Sequence, residues 1–387
     1  MTDAFPDPGS DVGLYVHWPY CARICPYCDF NVVRDRGKTA EQAALAEAIV
    51  ADLEAQAALT GPRRLASIFF GGGTPSLMAP EAVGRVIERA RALFPPRGEI
   101  EITLEANPTD AEAGRFSALS DAGINRLSMG VQALDDASLQ ALGRNHSADE
   151  ARRAVAVAAR AFSRLSIDLI YARPGQTVAA WTDELRQALD MGFEHVSPYQ
   201  LTIEPTTAFG RAFARGTLVP PDEDLAAELY ETTQGLLEGA GFETYEVSNH
   251  ARGEAARSAH NLHVWRGGDY VGVGPGAHGR LTLDGARTAT VAHRGIADYI
   301  AGVDAGAPWV ERESQSPDEA AEERILLGLR TVEGVTVADL AALDLSPDEG
   351  RLADLLADGF LDRSGDRVAA TARGRPVLDA ILKALLT

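Results

Sequence analysis

The chain has 387 residues and three cysteines, and all three fall within eight positions: Cys21, Cys25 and Cys28. Their spacing is C-x₃-C-x₂-C, followed directly by Asp29 and Phe30. Thiolates this close can converge on one metal centre. Three thiolates on a four-iron cluster leave one iron open, and an open coordination position is where a metal site does chemistry rather than scaffolding. Core cysteines would scatter along the chain instead. A disulfide would strand an odd cysteine, and nothing else suggests secretion. Structural zinc would need a fourth ligand, His17 or Asp29, and Asp29 suits that role poorly. The spacing points first to an iron–sulfur cluster with an open iron.

The elements that would hold such a loop are legible from periodicity. Short apolar runs at residues 13–17, 66–70, 100–105, 126–131, 165–170 and 195–201 read as buried strands. Ala-rich helical stretches lie between them, near 39–59, 80–93, 110–122, 135–142, 148–162 and 178–191. Repeated βα units predict a parallel sheet wrapped by helices, either an open doubly wound layer or a partial barrel. Both put the site at the carboxyl ends of the strands. The unusual residues sit there. The cysteine loop follows the first strand and Gly71-Gly72-Gly73-Thr74-Pro75 the second. Glu105 ends the third, Gln132 follows the fourth, and Asp168 lies near the end of the fifth.

A hydrophobic share of 45% supports a substantial core, and the length suggests a large domain plus a smaller one. With 36 basic and 56 acidic residues the net charge is −20, which disfavours general nucleic-acid binding. The polar, Pro- and Asp-rich start predicts no signal peptide, and no apolar run approaches the roughly 20 residues that span a bilayer. A reducing cytoplasm is the expected setting, with peripheral membrane association left open. After residue 201 the pattern changes to a loop-rich stretch, a helix near 224–237 and a Gly-rich segment at 267–279. Residues 318–387 read as a small domain of three helices, near 323–329, 337–343 and 350–358, and a hairpin around Ser364-Gly365-Asp366. That order resembles a winged helix, but an acidic one, so a packing or partner role is expected of it.

The cysteine loop together with the glycine loop closely resembles radical S-adenosylmethionine (SAM) enzymes. Within them the chain resembles the oxygen-independent coproporphyrinogen III oxidase-like group, from Tyr15 to the terminal domain. The resemblance implies an α/β fold, a partial (β/α)6 barrel with a C-terminal winged-helix-like α+β domain. It implies a [4Fe-4S] cluster on Cys21, Cys25 and Cys28, with SAM on the open iron. One electron from the cluster would cleave a carbon–sulfur bond of the sulfonium to give a 5′-deoxyadenosyl radical, chemistry that belongs to the cofactor. SAM contacts would fall on Tyr15, Gly72, Gly73, Thr74, Glu105, Gln132, Arg144 and Asp168, with Tyr27 on the adenine side. Glycine backbone permits close approach, carboxylates accept from hydroxyl and amino groups, and Arg144 offers a planar fork for a carboxylate.

Two departures refine the resemblance. Coproporphyrinogen oxidases carry a further cysteine where this chain has Phe30, and a longer segment where only 20 residues precede Cys21. Both move the likeness towards the HemW-type heme chaperones, which are thought to deliver heme to respiratory apoproteins. His260-Asn261-Leu262-His263-Val264-Trp265 resembles that family's His-Asn-x-x-Tyr-Trp signature, with Val264 in the Tyr position. It makes His260 a candidate heme ligand, with His263 and His250 behind it. The competing reading is that His260 cross-links a loop. The expected partners are heme, heme-accepting apoproteins and an electron donor, with no nucleic acid. The alternatives are SAM-dependent oxidative decarboxylation of coproporphyrinogen III and, further off, a zinc-bearing regulator. The expected division is a tail at 1–12, the barrel at 13–215, a connecting region with the histidine segment at 216–316, and the winged-helix-like domain at 317–387.

Overall fold

The computed structural model describes residues 10–387, so most of the expected tail lies outside the described residues. Six strands, β1 (Asp11–Trp18), β2 (Arg64–Gly72), β3 (Glu101–Ala106), β4 (Arg126–Gln132), β5 (Arg164–Tyr171) and β6 (His195–Gln200), lie side by side in chain order. All are parallel to their neighbours. Leu14, Val16, Ile68, Phe70, Ile102, Leu104, Leu127, Met129, Ile167 and Leu169 are buried along them, as parallel strands covered on both faces require. Helix Thr39–Thr60 buries Leu45, Ile49 and Leu53 against the sheet side of the core, and helix Pro80–Leu93 adds Val83, Val86 and Ile87. Ser147 and Glu150 form a capping box that starts helix Ala148–Ala161. The helix expected at 110–122 is two pieces, Asp110–Ala113 and Phe116–Asp121. Gly114 sits at the break, where glycine is a poor helix former, and the Arg115 guanidinium turns away to donate to the Met78 carbonyl at 2.8 Å.

The same sheet continues past residue 216. On one edge, β7 (Glu243–Glu246) and β8 (Asn249–Ala251) are added antiparallel beyond β6. On the other, β9 (Asp269–Val273) lies parallel to β1, and β10 (His278–Leu283), β11 (Ala286–Ala292) and β12 (Trp309–Ser314) follow antiparallel. The twelve strands run in the order β12-β11-β10-β9-β1-β2-β3-β4-β5-β6-β8-β7. The Gly-rich segment at 267–279 belongs largely to this strand pairing. A Cβ on Gly272 would stand 1.9 Å from the His278 carbonyl oxygen, and one on Gly279 would stand 2.5 Å from Thr290 Oγ1. Glycine here marks strands packed too close for a side chain.

Residues from Pro317 onward build their own apolar core around Ile325, Leu329, Leu340, Leu352, Leu361 and Val368. Helices Pro317–Gly328, Val337–Ala341 and Gly350–Ala357 surround a three-stranded sheet of β13 (Val335–Thr336), β14 (Leu361–Ser364) and β15 (Arg367–Ala370), with β15 central. This is winged-helix order. A further helix, Leu378–Leu386, was not expected from the sequence; it buries Leu378, Ile381, Leu382 and Leu385 in that core. Among the described residues no helix is long and apolar enough to cross a membrane.

Candidate functional site

The carboxyl ends of the parallel strands and the cysteine loop enclose a cavity of about 480 Å³. Cys21, Cys25, Cys28, Tyr27, Gly72, Gly73, Thr74, Glu105, Gln132, Arg144 and Asp168 all line it. The cysteines are free thiols, Cys21 buried and the other two half-buried. Main-chain bonds shape their loop: Cys28 N–H donates to the Cys25 carbonyl at 3.2 Å, and Asp35 N–H to that of Cys21 at 2.7 Å. The glycine loop is pinned against it, with Gly73 N–H donating to the Trp18 carbonyl and Thr74 N–H to the Tyr20 carbonyl, each at 2.8 Å. A Cβ on Gly73 would lie 2.7 Å from the Tyr20 oxygen, so only glycine lets the two loops touch. Among the described residues no three His, Cys, Asp or Glu side chains gather as ligands of a single ion. A cluster takes one thiolate per iron and so spreads its cysteines.

Opposite the thiols stands a buried polar set. Glu105 accepts from Gly72 N–H at 3.2 Å, and burial, reinforced by the Asp168 charge, pushes its carboxyl up to about 8. Asp168 is pushed up to about 6 by burial, against hydrogen bonds from Ser197 and Ser128. Burial raises the Cys21 and Cys28 thiols. Arg144 bridges the two sides. Its guanidinium lies 3.3 Å from Cys25 Sγ and 3.4 Å from Tyr27 Oη, and it donates to Asn107 Oδ1 and, at 2.9 Å, to the Gly130 carbonyl. Gln132 ends β4 with φ of 65°, a left-handed conformation unusual for a side-chain-bearing residue. Its Oε1 is buried with no partner among the described residues. Strain and an orphaned acceptor together mark a position held for a ligand.

Tyr15 does not reach this cavity. It lines a second one of about 930 Å³, together with His17, Phe30, Phe69, Tyr199, His260, Trp265, Tyr270, His278 and Arg330. Asp29, Phe30, Gly72, Glu105 and Tyr199 line both and form the shared wall. Tyr15 Oη is 2.9 Å from His17 Nδ1, and His17 Nε2–H donates to the Asn31 carbonyl at 2.9 Å. The His260 ring shares a 2.9 Å hydrogen bond through Nδ1 with Ser67 Oγ and stacks on Phe69 at 5.1 Å. Burial drives its imidazolium pKa down to about 3, so it is neutral. It ties helix Ala259–Trp265 to β2. His263 Nε2–H donates to the Asp269 carbonyl at 2.7 Å, and His250 Nε2 pairs with Gln234 Oε1 at 3.1 Å; neither lines the cavity.

The sequence reading did not single out Asn107, Ser128 or Tyr199, which line the first cavity. Asn107 had a signal, being at the end of the third strand, two positions after Glu105. Its amide donates to Thr74 Oγ1 at 3.0 Å and so couples the glycine loop to Arg144. Ser128 and Tyr199 gave none: a serine inside a strand and a tyrosine at a strand end are ordinary until the sheet aligns them with Asp168.

Residues 15–188 match the radical SAM superfamily and residues 315–377 the HemN C-terminal domain. The chain belongs to the radical SAM superfamily, whose cofactors are a [4Fe-4S] cluster and SAM. It is 40% identical over 396 residues to the mitochondrial radical S-adenosyl methionine domain-containing protein 1 of Bos taurus, covering 99% of this chain and 89% of that protein. It is 36% identical to the heme chaperone HemW of Mycobacterium tuberculosis, over 98% of this chain and 96% of that one. Identity to the heme chaperone HemW of Escherichia coli is 35%, over 97% and 98%. The fold matches coproporphyrinogen III oxidase (HemN) from Escherichia coli, a radical SAM enzyme, with a TM-score of 0.80 over 98% of this chain and 90% of that one at 22% identity. The mixed α/β barrel-type fold with its winged-helix-like end is therefore the radical SAM architecture. The residues present fit the cofactors: free thiols on one wall, an orphaned buried acceptor on the other, and glycine backbone between them.

Proposed function

We propose that this chain is a heme chaperone of the radical SAM type, which carries heme in the second cavity and hands it to apo-acceptor proteins. Cys21, Cys25 and Cys28 hold the cluster. Gly72, Gly73, Thr74, Glu105, Gln132, Arg144 and Asp168 receive SAM, and Tyr27 lies on the adenine side. When bound, the cluster supplies an electron to the sulfonium. Arg144 keeps a positive charge against the Cys25 thiolate, and Glu105 and Asp168 face the cationic part of the ligand from a water-poor wall.

One observation carries the heme reading: the large aromatic cavity opens on the cluster cavity through Phe30, whose side chain is 62% exposed where the two meet. At about 930 Å³ it lies at the upper end of the roughly 300–1,000 Å³ typical of cofactor pockets. In this reading residues 13–215 carry the cluster and SAM, 216–316 complete the heme wall, and 317–387 contribute Arg330. The two HemW heme chaperones, matched over nearly their whole length, support this reading.

The test is anaerobic reconstitution. The chain is expected to hold about four iron and four sulfide, to bind one heme, and to pass it to a heme-free acceptor. Cys21→Ala, Cys25→Ala and Cys28→Ala should each lose the cluster. Turnover of coproporphyrinogen III with SAM and reductant, without heme retention, would replace this reading with the biosynthetic one.

A further inference from the structure

We propose that His278 is the iron ligand of heme in the second cavity and that Arg294 receives a propionate. The inference rests on the heme reading above and assigns the residues that would do the binding.

Three histidines line that cavity: His17, His260 and His278. Iron needs an imidazole nitrogen that is unprotonated and sterically free. His17 has both ring nitrogens engaged, Nδ1 with Tyr15 Oη and Nε2 with the Asn31 carbonyl. Its ring is also wedged against Gly72, where a Cβ would come within 2.5 Å of it. His260 has Nδ1 on Ser67, and its ring is sandwiched between Phe69 and the backbone of Gly13, where a Cβ would meet Cε1 at 3.6 Å. Drawing the His17 ring to a metal breaks a buried hydrogen bond, and His260, whose Nε2 has no partner among the described residues, is a buried ring fixed between Ser67 and Phe69. His278 differs. Neither of its ring nitrogens has a hydrogen-bond partner among the described residues, and its side chain stands exposed at the start of β10. Partial burial and the neighbouring Arg280 lower its pKa, which favours the neutral, ligating form of the ring.

The sheet aims it. His278 pairs with Val291, and Val291 with Glu311, in one cross-strand row through β10, β11 and β12, and all three line the cavity. Val291 and Val310 give the apolar surface a porphyrin edge needs, and Tyr270 and Trp265 give aromatic faces. Arg294 lies on the same wall, exposed, with no carboxylate partner among the described residues, whereas Arg330 is already held by Glu246 at 3.5 Å and by the Trp265 ring. Asn31 braces this wall to the cysteine loop, donating to the Pro275 carbonyl at 2.8 Å and the Arg294 carbonyl at 3.0 Å. A free imidazole, a free guanidinium and apolar strand faces are the groups a metalloporphyrin carboxylate would meet.

The experiment uses the full chain with its cluster reconstituted, titrated with hemin and followed by visible absorption and low-temperature EPR. The parent should show a histidine-ligated iron signature. His278→Ala should lose it, with heme affinity down at least about tenfold, and added imidazole should restore it. Arg294→Ala should weaken heme binding while the iron signature stays. His260→Ala should lower thermal stability and retain the signature. An unchanged iron signature in His278→Ala overturns this inference while leaving the heme reading standing, and so does loss of the signature in His260→Ala alone. A parent chain that binds no heme overturns both.

Discussion

Replacing Glu105 by Gln should stabilise this protein, and the gain should grow with pH. The Glu105 carboxyl sits at the end of β3 with a pKa raised from 4.5 to about 8, first by burial and then by the charge of Asp168. A carboxyl raised in the folded state favours the neutral form there. Below pH 4.5 both folded and unfolded chains are protonated and nothing is lost. As pH climbs towards 8 the unfolded chain ionises and the folded one does not, so stability drains through that window. Gln is neutral throughout and its Oε1 can still accept from Gly72 N–H. At 1.36 kcal/mol per pKa unit, the parent should trail Glu105→Gln by about 1 kcal/mol at pH 5.5, about 3 at pH 7 and about 5 at pH 8.5. Urea unfolding of both proteins without SAM, at those three pH values under nitrogen, measures the difference. Comparison within the pair cancels the many surface carboxylates of this acidic chain. A difference that stays constant from pH 5.5 to 8.5 refutes the reasoning. The same proton should oppose a cationic ligand: SAM should bind the parent more tightly as pH rises towards 8, and bind Glu105→Gln more weakly, with only the lower-pH rise that Asp168 contributes near 6.

Three further outcomes follow from particular contacts. Arg144→Met removes a guanidinium 3.3 Å from Cys25 Sγ and leaves Asn107 and the Gly130 carbonyl without their donor; the cluster potential, read by redox titration with EPR, should move negative, and SAM affinity should fall roughly tenfold. Gly72→Ala meets both a φ of +105° and the His17 ring at 2.5 Å; it should cost about 2 kcal/mol or more in urea unfolding. Ile381→Ala in the terminal helix, 2% exposed in the parent, should cost about 2–4 kcal/mol and lower the melting temperature of the winged-helix-like domain.

The alternation of apolar strand and helix made the first six strands legible, because buried parallel strands and amphipathic helices write their periods directly into composition. The six strands that extend this sheet after residue 216 left a weaker trace. β10, β11 and β12 are polar or glycine-rich, and β7 and β8 are only four and three residues long. Their pairing energy comes from neighbours far away in the chain, so residues 267–279 read only as a Gly-rich segment. The terminal helix was missed because its apolar stripe has meaning only against the core of Ile325, Leu329 and Leu340 that it covers.

The ligand set for a metal cluster is legible in the amino-acid sequence, since three cysteines within eight residues are kept together by the chain itself. The rim positions of Glu105, Gln132 and Asp168 followed from strand ends. Which histidine stands exposed with its ring unheld could not be read there. His260, the histidine of the motif, is held by Ser67, 193 residues away in sequence. His278, in an unremarkable Gly-Ala-His-Gly run, has neither ring nitrogen engaged among the described residues. How freely a ring can move depends on what else packs against it, and only the closed sheet brings those groups together.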